Sequence, residues 1–521
     1  MAGANIPVER LLRELSRPDA YPHRVEAVRV AQTHASCVFL TGEFVYKVKK
    51  PVDFGFLDYS TPAARRDCCE RELRLNWRLS PEVYLDLAPI VEREGRLRVA
   101  AEGEPVEWAV RMRQLPETDL LSRRLARGEV EAADLQRVAR VLARFHAGAD
   151  AGPEVRRFGL PEAIARNVEE NFTQTATLLG EALPREHLEA VREYARGFLR
   201  DREALFLERL RQGRIRDGHG DLRAQNLYVA PGTEADVHVL DCIEFNERFR
   251  CGDAAADLAY LAMDLDLAGR PDLRLALVEA YVRESGDTGL GEVLRFYQYY
   301  RAVVRGKIAL LALQEPEIPA ADREEHRATA AAALDLALSY TRPRERPLLL
   351  CTVAFSGAGK SVLARALARR LPAVRLASDE VRKELSGVPA DTALAAAAYT
   401  EARRQAVYAE LRRRARPLLQ RGVNVILDAT FLSPEERRRA AELAADTGAE
   451  PVFLHCDCPD PVIRARLAAR AGDASDAGLA VYEEQLRAGT GALELPGAKV
   501  VTVRTDQAVE QGAAYCVSRI P

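Results

Sequence analysis

The stretch Val353-Ala-Phe-Ser-Gly-Ala-Gly-Lys-Ser361 constrains this chain more than any other. It follows the apolar run "LLLCTV" and precedes "SVLARALARRL", whose apolar spacing is helical. A strand, a glycine-bearing loop and a helix, in that order, let backbone N–H groups and a helix N-terminus hold phosphate. The phosphate-binding pattern G-x-x-x-x-G-K-[ST] asks for a glycine six residues before the lysine, and Ala354 stands there instead. That alanine costs about 1 kcal/mol if its φ must be positive, and little if φ is negative. The positions that meet phosphate (Ser356, Gly357, Ala358, Gly359, Lys360 and Ser361) are intact, so the loop reads as a working site.

The loop cannot account for the whole chain. At 521 residues the protein exceeds one core, and about two to four domains are expected. The prolines of "YTRPRERPLLLC" mark a seam near residue 345. Beyond it, "LLLCTV", "AVRLAS", "NVILDA" and "EPVFLHC" alternate with helical stretches, which predicts an α/β domain with a parallel sheet over 346–521. Residues 1–345 predict an α+β two-lobed domain. A β-rich small lobe runs to about residue 115, with "GRLRVAAEGEPVEWAVRM" reading as antiparallel strands paired around a Glu-Gly turn. A helical large lobe fills 116–345.

A formal net charge of −3 gives no overall electrostatic reason to expect nucleic acid or an anionic membrane as partner. No apolar run reaches the roughly 18 residues of a membrane span, and the N-terminus lacks a secretory pattern. Nine scattered cysteines without a C-x-x-C read as reduced thiols, so a cytoplasmic location is expected.

The first domain carries its own constellation. "HGDLRAQN" (His219–Asn226) is followed by "VLDCIEF", which places Asp241 fifteen residues after Asn226. Phosphoryl transfer asks the protein for positioning, metal ions and charge neutralisation rather than covalent chemistry. Asp221 suits the carboxylate that accepts the acceptor hydroxyl's hydrogen bond. Asn226 and Asp241 suit the oxygen ligands of Mg2+. "FVYKVKK" puts Lys47 and Lys49 on one strand face. Lys47 is preferred for gripping ATP phosphates, and Glu72, rather than Glu70, for holding that lysine. Glu244, Asp264 and Asp266 are candidates for a cationic substrate, and Arg301 and Arg305 for an anionic one, though solvation or ion pairing explains each more simply.

These residues resemble the aminoglycoside phosphotransferase family, a branch of the protein-kinase-like fold; "HGDLRAQN", "VLDCIEF" and "GDAAADLAYL" carry the resemblance over residues 1 to about 340. It implies that Asp257 braces the catalytic loop. The chain departs from the kinase pattern in having no glycine-rich loop before Lys47. Cys68-Cys69 and "VKKPVDFGFLDYST" resemble a bacterial subgroup fused to a P-loop kinase.

In the second domain, "LASDEVRKEL" places Asp379 and Arg382 three apart beyond a strand, suited to accept a hydroxyl proton and to hold substrate phosphate. "NVILDATFL" ends a strand at Asp428, a carboxylate that reaches Mg2+ with Ser361. Arg466 and Arg470 lie one helical turn apart, where an arginine closes over the nucleotide. Over about 350–490 these features resemble the zeta-toxin and polynucleotide-kinase-like P-loop kinases. The resemblance implies Asp379 as base, Arg382 as a substrate contact and Arg466 or Arg470 as the arginine over the nucleotide.

The expectation is two ATP- and Mg2+-using phosphotransferase modules acting on hydroxyls of small metabolites, a sugar or amino sugar foremost. Two alternatives remain. The P-loop half phosphorylates a nucleotide-sugar or a polynucleotide 5′-hydroxyl, with the first half regulatory, or it senses nucleotide without turnover.

Overall fold

A computed structural model describes residues 5–53, 55, 57–175, 178–179, 182, 184–314, 320–342, 344–389, 394, 400–469, 479–489, 493 and 498–520. They form two compact units. The first comprises Met1–Gln174, Glu193–Asp264 and Ala276–Arg301; the second comprises Thr175–Arg192, Leu265–Leu275 and Ala302–Pro521.

The first unit holds a six-stranded antiparallel sheet of β1 (Arg29–Gln32), β2 (Ser36–Leu40), β3 (Phe44–Lys49), β4 (Tyr84–Arg93), β5 (Arg96–Val99) and β6 (Pro105–Arg113). Its order is β1-β2-β3-β6-β4-β5. The expected pairing of β5 with β6 around Glu102-Gly103 is not formed. Instead β4 pairs with both. The tight turn lies at the earlier Glu-Gly, where Glu94 (φ 52°) and Gly95 (φ 74°) both take the positive φ of a type I′ hairpin turn.

β3 shows how this sheet presents a site. Successive side chains point to opposite faces. Tyr46 and Val48 enter a core with Phe39, Ile90 and Leu11, while Lys47 and Lys49 point to the other face. There the Pro62–Asn76 helix packs Cys69 and Leu73 against Val110 and Met112. Pro62 opens that helix and the Thr61 hydroxyl caps it by accepting from Ala64 N–H (3.2 Å).

Two short antiparallel ladders set out the motifs of this unit. β7 (Ile215–Asp217) pairs with β10 (Cys251–Asp253), and β8 (Leu227–Val229) with β9 (Val237–Val239). The HGD loop leaves β7. Asn226 immediately precedes β8 and Asp241 follows β9, so the hairpin brings them to the same end, where Leu240 N–H donates to Asn226 O (2.9 Å).

The second unit is built on β11 (Leu348–Val353), β12 (Ala373–Ala377), β13 (Asn424–Asp428), β14 (Glu450–Asp457) and β15 (Lys499–Arg504). These five parallel strands run in the order β12-β13-β11-β14-β15. β11 is central and buried throughout, which explains its unbroken apolar sequence. Leu348 and Leu350 pack with Leu363, Leu367, Val452 and Val503, while Leu349 and Cys351 pack on the opposite face with Tyr408, Leu411 and Leu443. This unit also takes in the Ala320–Thr341 helix, whose Asp335 accepts from Arg370 (2.6 Å), and Asp266, which accepts from Tyr340 (2.6 Å) and Arg274 (2.8 Å).

All nine cysteines are free thiols. No helix among the described residues is long and apolar enough to cross a membrane.

Two candidate phosphotransfer sites

In the first unit Lys47 meets Glu72, the partner expected for it, and also Asp241, which was expected only as a metal ligand. Its Nζ lies 2.8 Å from Glu72 Oε1 and 2.5 Å from Asp241 Oδ1. Burial works against the Lys47 charge, but Asp241 and Glu72 outweigh it and hold the ammonium well above the usual lysine range. The nearby Lys47 charge in turn draws the Asp241 carboxyl down to about 2. Glu70 is exposed and pairs with Arg66 (3.0 Å).

Asp241 adopts φ 64°, in the left-handed region that non-glycine residues seldom occupy. Its N–H donates to Tyr84 Oη (3.1 Å), and the next N–H, of Cys242, to Asn76 Oδ1 (2.9 Å). Two side chains therefore hold a strained backbone in place, the pattern found at functional sites.

Asp221 lies against Arg223 (2.8 Å) and accepts from Asn226 Nδ2 (2.8 Å). Its loop is fixed from below by the buried Asp257, which accepts from His219 N–H (2.5 Å) and Gly220 N–H (2.7 Å). Burial opposes the Asp257 charge, but the hydrogen bond with His146 and neighbouring cationic groups hold the carboxyl below its usual range. The two glycines of "GHG" are steric requirements. A Cβ on Gly218 would lie 2.3 Å from Asp257 Oδ2, and one on Gly220, at φ +85°, would lie 2.7 Å from Phe249 O.

Several charged groups prove to be internal supports. Arg301 is buried, donates to Ala256 O (3.0 Å) and lies over the Tyr260 ring. Asp264 accepts from Ala224 N–H (2.9 Å). Glu244 binds the Tyr59 hydroxyl (2.5 Å) and Lys49, and Lys49 also reaches Glu72. Lys49 is thus a second buried lysine on the same glutamate. Its place was visible in "VKK", but its partner Glu244 arrives from 195 residues away.

In the second unit the loop between β11 and the Lys360–Arg370 helix has the expected form. Gly357 and Gly359 both sit at φ +85°. Ala354 is not among the residues with positive φ, so it carries no left-handed strain. It is buried, and its N–H donates to Thr430 O (3.0 Å). Ser361 Oγ donates to Asp428 Oδ1 (3.1 Å). Sequence reading missed Arg375, which lies 2.6 Å from the other Asp428 oxygen and 2.9 Å from Glu380.

Asp379 and Arg382 form an ion pair (2.6 Å) at the start of the Ser378–Leu385 helix. Arg466 Nη2 donates to Thr505 O (2.8 Å). With Gly357, Gly359, Arg504 and Thr505, Arg466 lines a cavity of ≈ 460 Å³ beside the loop. Arg470 lies outside the described residues.

Two other supports gave no sequence signal. Gln485 Oε1 accepts from Ser356 N–H (2.8 Å), while its Nε2 donates to Ser356 Oγ (3.1 Å). Phe431, at φ 43°, is held by Tyr408 Oη, which accepts its N–H (3.0 Å), and by the buried Arg437, which donates to its carbonyl (2.7 Å). Arg437 is thus internal, whereas the neighbouring Arg438 and Arg439 pair with Glu435.

Comparison with known proteins follows the same division. Residues 99–297 match the Phosphotransferase enzyme family and residues 349–496 match an AAA domain family. Uncharacterized protein Rv2004c of Mycobacterium tuberculosis is 35% identical over 471 residues, covering 88% of this chain and 90% of the relative; Uncharacterized protein Mb2027c of Mycobacterium bovis matches to the same extent. Among solved structures, a choline/ethanolamine kinase family protein from Mesorhizobium loti aligns at 13% identity over 64% of this chain and 98% of its own (TM-score 0.38). A sugar kinase from Janibacter sp. HTCC2649 aligns at 22% identity over 33% of this chain and 93% of its own (TM-score 0.26). The chain therefore belongs to the same family as these mycobacterial proteins, with an aminoglycoside-phosphotransferase-type domain followed by a P-loop domain of the AAA class.

Proposed function

We propose that each half transfers the γ-phosphoryl group of ATP to a hydroxyl of a small metabolite, a sugar or amino sugar foremost. One observation carries this reading: Glu72, Lys47 and Asp241 join in one chain of contacts, beside an Asn226–Asp221 pair at the same end of a hairpin. Four separate stretches of sequence thereby supply a phosphate grip, metal ligands and a base.

The donor sets suit Mg2+. Asn226 with Asp241, and Ser361 with Asp428, are hard oxygen ligands in pairs. Among the described residues no group of three or more His, Cys, Asp or Glu is placed to hold an ion alone. That matches a metal whose remaining ligands are water and substrate phosphate. When bound, the metal neutralises charge on the β- and γ-phosphates.

In the first half Asp221 accepts the acceptor hydroxyl's proton as that oxygen bonds to the γ-phosphorus. The bond from the γ-phosphorus to the bridging oxygen breaks, and ADP leaves with its charge met by Lys47. In the second half the loop N–H groups and Lys360 hold the phosphates, Asp379 takes the proton, Arg382 orients the acceptor, and Arg466 borders the cavity for the base. A small acceptor suits this site better than a polynucleotide, because the arginines around Asp379 are already matched by acids. Arg382 pairs with Asp379, Arg375 with Glu380, and Arg414 with Glu384 and Glu410. Ala354 is unstrained, which removes the sequence-based reason to assign the loop to sensing without turnover.

The test is label transfer from γ-labelled ATP to a panel of sugars, amino sugars, aminoglycosides, nucleosides, nucleotide-sugars and 5′-hydroxyl oligonucleotides. Asp221→Ala should abolish one product while ATP still binds. Asp379→Asn should abolish the other, with ATP binding spared. Labelling that survives both changes refutes the base assignments, and labelling of oligonucleotide alone refutes the acceptor class.

A further inference from the structure

At Ser356 a side chain from elsewhere already occupies a backbone N–H of the loop. Both polar atoms of the Gln485 amide bind it: the carbonyl accepts its N–H and the amino group donates to its hydroxyl. The loop's function is to offer N–H groups to phosphate oxygens. Gln485 thus supplies, at one of those N–H groups, the acceptor that a phosphoryl oxygen would otherwise supply.

The Leu479–Ala488 helix is placed to do this deliberately. Tyr482 lies one turn before Gln485, so both side chains leave the same helix face. The buried Tyr482 ring meets the Phe355 ring edge-on at 5.9 Å, and its hydroxyl donates to Asp460 (2.8 Å). Glu483 adds an ion pair with Arg464 (3.1 Å). Adjacent loop residues, Phe355 and Ser356, are therefore each met by one residue of this helix. Tyr482 secures the helix through apolar contact that needs no phosphate, whereas Gln485 uses a bond for which phosphate competes.

We propose that Gln485 is a nucleotide-binding residue that makes the P-loop site discriminate triphosphate from diphosphate. The terminal phosphoryl group takes over the Ser356 N–H, and the Gln485 amide turns to donate its N–H to a phosphoryl oxygen. A neutral amide suits the exchange because it carries both an acceptor and a donor. A phosphoryl oxygen wins the N–H because a hydrogen bond to a charged acceptor is roughly twice as strong as a neutral one. A carboxylate at this position would keep the Ser356 N–H and repel the phosphoryl group.

This inference rests on the P-loop half binding ATP. The test uses the full chain carrying Lys47→Ala to silence the first site. Calorimetry compares a non-hydrolysable MgATP analogue with MgADP for Gln485, Gln485→Ala and Gln485→Glu. Losing one charge-assisted bond should reduce the preference for triphosphate about 10-fold in Gln485→Ala. The shape-conserving Gln485→Glu should reduce it further while diphosphate affinity stays within about 2-fold. Hydrogen exchange in 479–488 should change with the triphosphate analogue and not with ADP. Equal triphosphate preference in all three proteins, or identical exchange with both nucleotides, overturns the proposal. If neither nucleotide binds the Lys47→Ala chain in a Lys360-dependent manner, the P-loop reading itself fails and this proposal falls with it.

Discussion

Ala354 replaces a glycine without needing glycine's freedom. Its φ is not positive, and its N–H is tied to Thr430 O. Restoring the glycine should therefore bring no benefit. Ala354→Gly should lower stability by about 0.4–1 kcal/mol, through added freedom in the unfolded chain, and leave MgATP affinity unchanged. Denaturant titration and calorimetry read these two outcomes. Asp241 makes a second prediction at this scale. Its carboxyl is held at about 2 by Lys47, so its contribution to stability is fully present above the unfolded-state carboxylate range and is lost as pH falls through about 2. The stability difference between wild type and Asp241→Asn should be constant from pH 7 to about pH 4 and shrink below that. A difference that grows on acidification contradicts the Lys47–Asp241 pairing. The Lys47–Glu72 pair was legible as a strand lysine and a helical glutamate, although alternation leaves Lys47 and Lys49 on one face and both reach Glu72. Lys49–Glu244, Arg375–Asp428 and Gln485–Ser356 were not, since long-range packing alone brings those partners together, across 195, 53 and 129 residues.

Among the elements, the Pro62–Asn76 helix bears most directly on the first site. Glu72 faces Lys47 and Lys49 from it. One turn later Asn76 accepts Cys242 N–H and donates to Glu72 O (2.9 Å). This helix is fastened to the Asp241 segment through backbone as well as charge. Asn76→Ala should cost about 1–3 kcal/mol, because it leaves the buried Cys242 N–H unpaired. It should also lower turnover in the first half and spare the second. Equal loss in both halves would indicate general unfolding instead. The sheet beside this helix marks the limit of pattern reading. Alternation identified the strands of "GRLRVAAEGEPVEWAVRM" but not their neighbours, and two Glu-Gly pairs competed for the hairpin. The turn formed where both residues could take positive φ. In the second unit the apolar runs identified four of the five parallel strands, the central β11 being buried throughout; β15, at the sheet edge with alternating burial, was not read.

At the scale of the molecule, one chain carries two separately built candidate nucleotide sites, one on an antiparallel sheet and helix and one on a parallel sheet and glycine loop. Their supports come from different compact units, so each should fail on its own. The number of nucleotides bound tests this most directly. Calorimetry with a non-hydrolysable MgATP analogue should give two per wild-type chain, one in Lys47→Ala, one in Lys360→Ala and none in the double variant. A single nucleotide on the wild-type chain, or loss of both when either lysine alone is replaced, would contradict two independent sites.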